Sequence, residues 1–327
     1  MTNMLKPFLL AAVLGLAFSS HSLAWGPEGH EIVSEIALYY LTPTARAAVD
    51  DILGAYKLGD YDVASWPDAI RGNKEYAELY PHNGRWHYID FDAGMWYDDD
   101  FKLETPKDGD DIVTQIVHFR DELKAGKLEG ERRLNALRFL VHFVADVHQP
   151  MHCAFRYGDQ GGNMLPVNSF TGKHYSFGPD TEMDYPPSLH STWDEYLVNE
   201  LVADRKTKDA VKSLKKGITR DQVRNWMHDD VMQWAVDGYW IARKKAYRMT
   251  DGEKFPYKWA HPGMDLTREN YIDSHLPVVA EQLQKAGVRL ACMLNSAFDP
   301  DFEMPKRAPK PAAELAAPAE APAVAAP

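Results

Sequence analysis

A histidine and an aspartate four residues apart, set in apolar helical sequence, occur twice in this chain and limit how it can fold. His142 and Asp146 lie in the segment LVHFVAD, and His190 and Asp194 lie in LHSTWD. Side chains at positions i and i+4 project from the same face of a helix. Because the flanking residues are apolar, this face is predicted to be buried, and a buried carboxylate requires a partner. The fold must therefore carry polar partners into its interior.

One such pair, taken alone, is equally well explained by a His–Asp hydrogen bond inside a helical bundle. A third imidazole, His152, follows just after the Gln149-Pro150 break and adds a nitrogen donor to the first pair. Two pairs and this extra imidazole favour a shared metal centre. Imidazole and carboxylate ligands without thiolate suit zinc, although manganese or iron is also compatible with these ligand types.

Two shorter segments contain further candidate ligands. The segment WPDAIR places Asp68 in a turn, with Arg71 about one helical turn later, and WHYID places His87, Tyr88 and Asp90 close together. Each segment, taken singly, is more typical of a structural turn than of a site.

The rest of the sequence predicts an all-α protein with one main domain over residues 25–304. Apolar periodicity predicts helices over 42–52, 131–148, 189–201, 220–247 and 276–294. The best candidate for a strand is 85–91. Residues 305–327 are almost entirely Ala, Pro, Lys and Glu and are predicted to form a disordered tail.

The first 24 residues have the pattern of a signal peptide. Lys6 precedes an apolar run, and Ser-Leu-Ala at 22–24 has small residues at the positions that a signal peptidase requires. We therefore expect a periplasmic or secreted protein that begins at Trp25. The apolar run is short for a membrane span, so no stable membrane association is expected. A free amino group on Trp25 beside its own carbonyl would form a chelate near His30; the alternative is a packing tryptophan and a surface histidine.

Charge and cysteine content add two constraints. The net charge of −12 argues against binding nucleic acid through a basic surface, unless bound metal supplies the positive charge. The two cysteines, Cys153 and Cys292, are far apart in sequence, and in an oxidising compartment such a pair is predicted to form a disulfide.

Taken in order, these motifs resemble one known family. WGPEGH at 25–30, WPD at 66–68, WHYID at 86–90, HFVADVHQPMH at 142–152, GGN at 161–163 and HSTWD at 190–194 are similar to the motifs of the zinc-dependent type I nucleases, which act on single strands. The zinc phospholipases C have a similar ligand pattern and fold. The resemblance implies a single, mainly helical domain of this kind. We expect the protein to be a monomer.

The resemblance also implies which residues hold three zinc ions. Asp68, His87, His142 and Asp146 would bind one ion; His152, His190 and Asp194 a second; and the Trp25 amino nitrogen and carbonyl, His30 and Asp146 the third. Asp146 would then bridge two metals.

The implied activity is hydrolysis of RNA and single-stranded DNA to 5′-phosphorylated products, together with removal of 3′-phosphates from nucleotides. Asp68, Arg71 and Asp146 are the expected catalytic residues. Tyr88 would stack on a base, Asp90 would accept a hydrogen bond from its edge, and Asn163 would add another. The alternatives are a zinc phospholipase C, in which these three residues line a headgroup pocket, and a zinc-binding protein without catalytic activity.

Overall fold

The computed structural model describes residues 25–91, 109–169, 187–203, 205–252, 254–255 and 263–306. The predicted signal peptide and residues 307–327 of the predicted tail lie outside the described residues. Among the residues that are described, regular structure is helical, and β-structure is limited to isolated bridges such as the one between Pro166 and Ser188. The prediction of an all-α fold is confirmed.

The helices, in chain order, are α1 (Pro27–Tyr40), α2 (Pro43–Leu53), α3 (Tyr61–Ala64), α4 (Trp66–Ala69), α5 (Lys74–Ala77), α6 (Ile112–Ala125), α7 (Gly130–Asp146), α8 (Leu189–Ser191), α9 (Leu197–Val202), α10 (Thr207–Gly217), α11 (Arg220–Trp226), α12 (Val231–Ile241) and α13 (Asp273–Phe298). Short 3-10 turns lie at Asn83–Arg85 and Pro150–Cys153. Single π-helical turns lie at Thr192–Tyr196, Ala242–Ala246 and Arg268–Ile272.

Helix α7 forms the centre of the core, because its residues from Asn135 to Asp146 are all buried. Helices α1 and α13 pack along each other, and Gly287 of α13 lies against Ile36 and Val33 of α1. A Cβ atom at Gly287 would lie 2.4 Å from Cγ2 of Ile36, so only glycine allows the two helices to pack this closely. This packing fixes α1, which carries His30, against the core.

Three of the predicted helices are found with bounds close to those expected. Thr42 caps α2, its hydroxyl accepting a hydrogen bond from the Ala45 amide at 3.2 Å. Helix α7 covers most of the predicted span 131–148, and α13 covers the predicted span 276–294. The predicted helix over 189–201 is present as α8 and α9, joined by a π-helical turn.

The single helix predicted over 220–247 is wrong, since the chain breaks between α11 and α12. Met227 leaves helical geometry at φ −77° and ψ 80°, and the Asp230 side chain then caps α12 by accepting from the Gln233 amide. The break lets Trp226 and Met227 pack against Val288 of α13. Tertiary packing has therefore overridden the helical periodicity of this segment.

The strand predicted over 85–91 is also wrong. His87 lies in a turn, and the Phe91 amide donates to the carbonyl of Ile89 at 3.0 Å, so the segment turns where a strand would continue. Residues 87–91 make hydrogen bonds with His152 and Phe155. The segment that it contacts includes the 3-10 turn Pro150–Cys153, whose tight backbone cannot continue a regular ladder.

The predicted disulfide is wrong as well, because Cys153 and Cys292 are both free, buried thiols. Cys153 lies in the main apolar cluster and contacts Gly238 of α12, whereas Cys292 packs in a second cluster with Trp226. Burial raises the pKa of both thiols, that of Cys292 to about 12. Each sulfur is thus enclosed by a different group of side chains.

Within the described part of the chain, no helix combines the length and the apolar character that crossing a membrane requires.

Candidate metal centre

Histidine and aspartate side chains from six helices and turns meet in the core and form three groups of potential metal ligands. Within each group, one ligand atom per residue lies within 4.8 Å of the others, and every residue is buried. The first group is Asp68–His87–His142, the second is His152–His190–Asp194, and the third is His30–His142–Asp146. All the side chains predicted as ligands are therefore brought together.

The first group is built around His142, near the end of α7. Its Nδ1 lies 2.7 Å from the carbonyl oxygen of Ala64. A carbonyl only accepts hydrogen bonds, so Nδ1 carries the hydrogen and Nε2 directs its lone pair inward when the ring is neutral. Nε2 lies 3.0 Å from Nδ1 of His87 and 3.1 Å from Oδ2 of Asp146. Asp68 is 3.5 Å from both imidazoles.

The protonation of this group follows from burial and charge. Burial alone would lower the pKa of His142, but the carboxylates of Asp146 and Asp68 outweigh it and raise the pKa to about 9. Burial, with the Arg71 charge as the next cause, lowers the pKa of His87 well below its usual value. Without metal, a proton on Nε2 of His142 thus lies between the nitrogen of His87 and the carboxylates. That position suits a cation.

The second group, His152–His190–Asp194, also has two imidazoles that face each other beside a carboxylate. Nδ1 of His152 donates to the carbonyl of His87 at 2.6 Å, and Nδ1 of His190 donates to the carbonyl of Gly161 at 2.8 Å. The two Nε2 atoms face each other at 3.1 Å, with the oxygens of Asp194 at 3.6 and 3.4 Å. Burial lowers the pKa of His190 to about 4, so its ring is neutral near pH 7. Two lone pairs are directed at one point.

The third group, His30–His142–Asp146, lies near Trp25, the residue at which the sequence predicts that the mature chain begins. Nε2 of His30 lies 3.4 Å from Oδ1 of Asp146, and its ring stacks on that of His142 at a centroid distance of 4.2 Å. Both nitrogens of His30 and Oδ1 of Asp146 are buried and make no hydrogen bond to the described residues. Trp25 is buried beside them, and its indole donates to the carbonyl of Ala145 at 2.9 Å.

Zinc fits all three groups by donor chemistry. Buried polar atoms are normally paired, so unpaired nitrogen and carboxylate atoms that converge indicate a missing partner. Neutral imidazoles with one nitrogen fixed by an acceptor, next to carboxylates, are typical of zinc ligands. Asp146 directs Oδ2 towards the first group and Oδ1 towards His30, which suits the bridging position predicted for it.

The Gly161–Gly162 turn positions the second group. Gly161 has φ +61°, and a Cβ there would lie 2.5 Å from the carbonyl oxygen of Met151 and 3.1 Å from Nδ1 of His190. Only glycine therefore allows the carbonyl of Gly161 to reach the imidazole. Asn163 follows, half-buried, with its amide donating to the carbonyl of Gln160 at 3.1 Å.

The remaining predicted site residues lie beside these groups. The guanidinium of Arg71 is 3.3 Å from Oδ1 of Asp68. Tyr88 is half-buried and Asp90 is exposed, and both lie on the segment 87–91, whose Ile89 amide donates to the carbonyl of His152. The predicted grouping of Tyr88, Asp90 and Asn163 into one pocket stays a prediction.

Two buried side chains that contact the ligands were not found from the sequence. Asn83 lies 3.2 Å from Nε2 of His87, and the side-chain amide of Gln149 donates to Asp194. Gln149 is part of a motif already noted, but Asn83 lies in an exposed-looking polar turn with no distinguishing pattern. The backbone carbonyls that orient the other imidazoles cannot be identified from the sequence, because every residue has one.

The comparison with known proteins agrees with this geometry. The family model described as S1/P1 Nuclease matches residues 25–299. Endonuclease 2 of Arabidopsis thaliana is 30% identical over 288 residues, which cover 84% of this chain and 90% of that protein. Nuclease P1 of Penicillium citrinum is 26% identical and Nuclease S1 of Aspergillus oryzae 27%; the alignments cover 83% and 86% of this chain and 97% and 94% of those proteins. The chain therefore belongs to the S1/P1 nuclease family and is a phosphodiester hydrolase.

Proposed function

We propose that this nuclease is exported, binds three zinc ions, and hydrolyses RNA and single-stranded DNA to 5′-phosphorylated products. It also removes 3′-phosphates from nucleotides and acts as a monomer. The observation that carries the metal assignment is the pair of facing imidazole nitrogens, His142–His87 at 3.0 Å and His152–His190 at 3.1 Å, each beside carboxylates. Such lone pairs repel one another unless a cation lies between them.

We assign the residues to the three ions as the family resemblance implies. Asp68, His87, His142 and Asp146 hold the first ion; His152, His190 and Asp194 the second; and His30, Asp146 and the amino nitrogen and carbonyl of Trp25 the third. Bound zinc supplies Lewis acidity and an activated water near neutral pH. It also supplies the positive charge that a chain with a net charge of −12 otherwise lacks for an anionic substrate.

Arg71 is the protein's own cation at the first group. Its side chain is 20% exposed, and its Nη1 contacts Oδ1 of Asp68 at 3.3 Å. We assign it to the non-bridging phosphate oxygens, where negative charge grows during hydrolysis. Asp68 holds the guanidinium in place and at the same time offers an oxygen to metal.

Tyr88, Asp90 and Asn163 form the proposed nucleoside site. The tyrosine ring stacks on a base, the carboxylate accepts from the base edge, and the amide adds a hydrogen bond. A base that stacks on a protein ring and exposes its edge must be unpaired, which favours single-stranded substrates. Tyr88 directly follows His87 in the chain, so the proposed base site lies next to the proposed first metal group.

The proposed third site requires cleavage after residue 24, because the Trp25 nitrogen becomes an amine only when residues 1–24 are removed. Removal of a signal peptide accompanies export. Support comes from the signal-peptide pattern and from the family match, which begins at residue 25. The amide of Gly26 donates to the backbone carbonyl of Asp194 at 2.7 Å, so the start of the mature chain is held at the second group.

The test is zinc content of the purified mature protein, measured together with hydrolysis of single-stranded RNA, single-stranded DNA, duplex DNA and phosphatidylcholine. We expect three zinc ions per chain, cleavage of the single strands to 5′-phosphorylated products, and intact lipid. A protein that cleaves lipid and leaves RNA intact would contradict the substrate assignment. Cleavage of RNA by zinc-free protein would contradict the metal assignment.

A further inference from the structure

The imidazoles of the two facing pairs are oriented by hydrogen bonds to their second nitrogens. Three of these acceptors are backbone carbonyls, on Ala64, His87 and Gly161. The fourth imidazole, His87, has a side chain as its partner, Oδ1 of Asn83 at 3.2 Å. Of these four contacts, this is the one that a substitution can remove without altering the backbone.

The direction of the Asn83 amide is fixed by its second contact. Its Nδ2 donates to the carbonyl oxygen of Pro67 at 2.9 Å. A flipped amide would place Oδ1 against this carbonyl and two acceptors would face each other, so Nδ2 must point to Pro67 and Oδ1 to His87. Because Oδ1 only accepts, Nε2 of His87 must carry the hydrogen.

This hydrogen bond determines which nitrogen of His87 is free. With the hydrogen on Nε2, Nδ1 directs its lone pair towards Asp68 and Asp146, at 3.5 and 3.0 Å. The other tautomer would direct a hydrogen into the metal position and leave two acceptors opposed at Asn83. Asn83 is only 4% exposed, so water cannot readily replace it as the partner.

The same amide joins the two segments that supply ligands to the first group. Pro67 immediately precedes Asp68 on α4, and Asn83 lies in the 3-10 turn that leads to His87. One side chain therefore sets both the tautomer of His87 and the separation of His87 from Asp68.

We propose that Asn83 is a positioning residue that prepares the Asp68–His87–His142 group for metal. This inference rests on the proposed metal-dependent function. It assigns no direct contact with substrate to Asn83. Partners that orient a metal-bound histidine typically contribute about 10–100-fold to metal affinity.

The experiment compares Asn83→Ala and Asn83→Asp with wild type and with Asn135→Ala. Asn135 is a matched control, since it is 3% exposed and also makes two side-chain hydrogen bonds, to Tyr80 and Arg138, without touching a ligand. Zinc affinity is measured by chelator competition, site by site, and the ¹⁵N spectrum of the zinc-loaded protein reports which nitrogen of His87 is protonated.

We expect Asn83→Ala to bind one zinc ion about 10–100-fold more weakly while the His152–His190–Asp194 group keeps its affinity. Asn83→Asp keeps an acceptor for Nε2 of His87 but places its second oxygen opposite the Pro67 carbonyl. It should therefore retain the protonated Nε2 and have an affinity between those of wild type and the alanine variant. Asn135→Ala should lose stability without selective loss of zinc.

Wild-type affinity in Asn83→Ala, or an equal loss in Asn83→Ala and Asn135→Ala, would overturn this inference and leave the proposed function standing. A wild-type protein that binds no zinc would overturn both together. The two failures are thus distinguished by the wild-type measurement alone.

Discussion

At the scale of single residues, Asp146 is a buried carboxylate that contacts two of the three ligand groups. Its carboxyl group is completely buried, and desolvation raises its pKa despite the nearby charge on His142. Oδ2 lies 3.0 Å from His87, and Oδ1 lies 3.4 Å from His30. One side chain therefore serves two ligand groups, and no neutral residue of the same shape offers two anionic oxygens.

Asp146→Asn should lose more than one zinc ion, because the amide directs hydrogens towards an imidazole lone pair and removes one of the two acceptors. The His152–His190–Asp194 group should keep its ion. Zinc per chain, measured by elemental analysis, checks this expectation. Asp111→Asn is the control, since Asp111 is also buried but its carboxylate accepts from the Thr114 amide, where it caps α6. Retention of all zinc in Asp146→Asn would disprove the bridging role.

At the scale of elements, the π-helical turn Thr192–Tyr196 and the Gly161–Gly162 turn together position the second group. The i, i+4 spacing of His190 and Asp194 predicts a shared face on a regular helix, and the two side chains do meet, at 3.4 Å. They meet across the junction of α8 with the π turn, however, a wider geometry that is frequent at functional sites. The glycine turn then supplies the carbonyl that orients His190.

Gly161→Ala should weaken zinc binding at the second group and reduce activity. Any alanine at φ +61° has a backbone cost of about 1–2 kcal/mol, and here its Cβ would also collide with the carbonyl of Met151. Gly126→Ala is the control, because Gly126 has φ +64° and open space around its Cβ. Thermal unfolding and zinc affinity are measured on both variants. Equal zinc affinity in the two variants would show that Gly161 is needed only for the backbone conformation of the turn and not for zinc binding.

At the scale of the whole molecule, bound metal is expected to stabilise the fold, because its ligands come from segments that are distant in sequence. The ligands come from α1, α4, the turn before residue 87, α7, the 3-10 turn at 150–153 and α8 with its π turn. The net charge of −12 adds to the repulsion that buried carboxylates experience without a counterion. Folding and metal binding should therefore be linked.

Removal of zinc with a chelator should lower the melting temperature, and zinc should restore it. A ligand present at 100 times its Kd stabilises the folded state by about 2.7 kcal/mol per site, so several degrees are expected. Calorimetry of zinc-loaded, zinc-free and reloaded protein makes the comparison, with magnesium as the control ion. A melting temperature that stays constant while the zinc content falls would show that zinc binding does not stabilise the folded state.

The two cysteines provide a second test at this scale. Because Cys153 and Cys292 are enclosed by different apolar clusters, we expect two reactive thiols per chain after unfolding in denaturant, and almost none in the native protein. Titration with a thiol reagent, with and without a reductant, measures both states. Fewer than two thiols in unfolded, unreduced protein would instead support the disulfide expected from the sequence.

Much of this protein follows from the sequence alone, because helical periodicity and ligand spacing are local properties. The helices around Val49, His142 and Leu290 are fixed by apolar residues three and four apart. The two His–Asp pairs are likewise fixed by spacing, and the types of ligand follow directly from the residues. The motifs also identified the family, which the comparisons confirm.

Only the tertiary structure decided the features that depend on contacts between distant segments. His30 meets Asp146, Asn83 meets His87, and the carbonyl of Gly161 meets His190 because helices and turns pack at particular distances. The break at Met227 and the separation of the cysteines have the same origin. A sequence pattern records which face of a helix is buried, but it does not record what that face is buried against. The facing imidazole nitrogens of His142 and His87, and of His152 and His190, can therefore be recognised only in the folded chain.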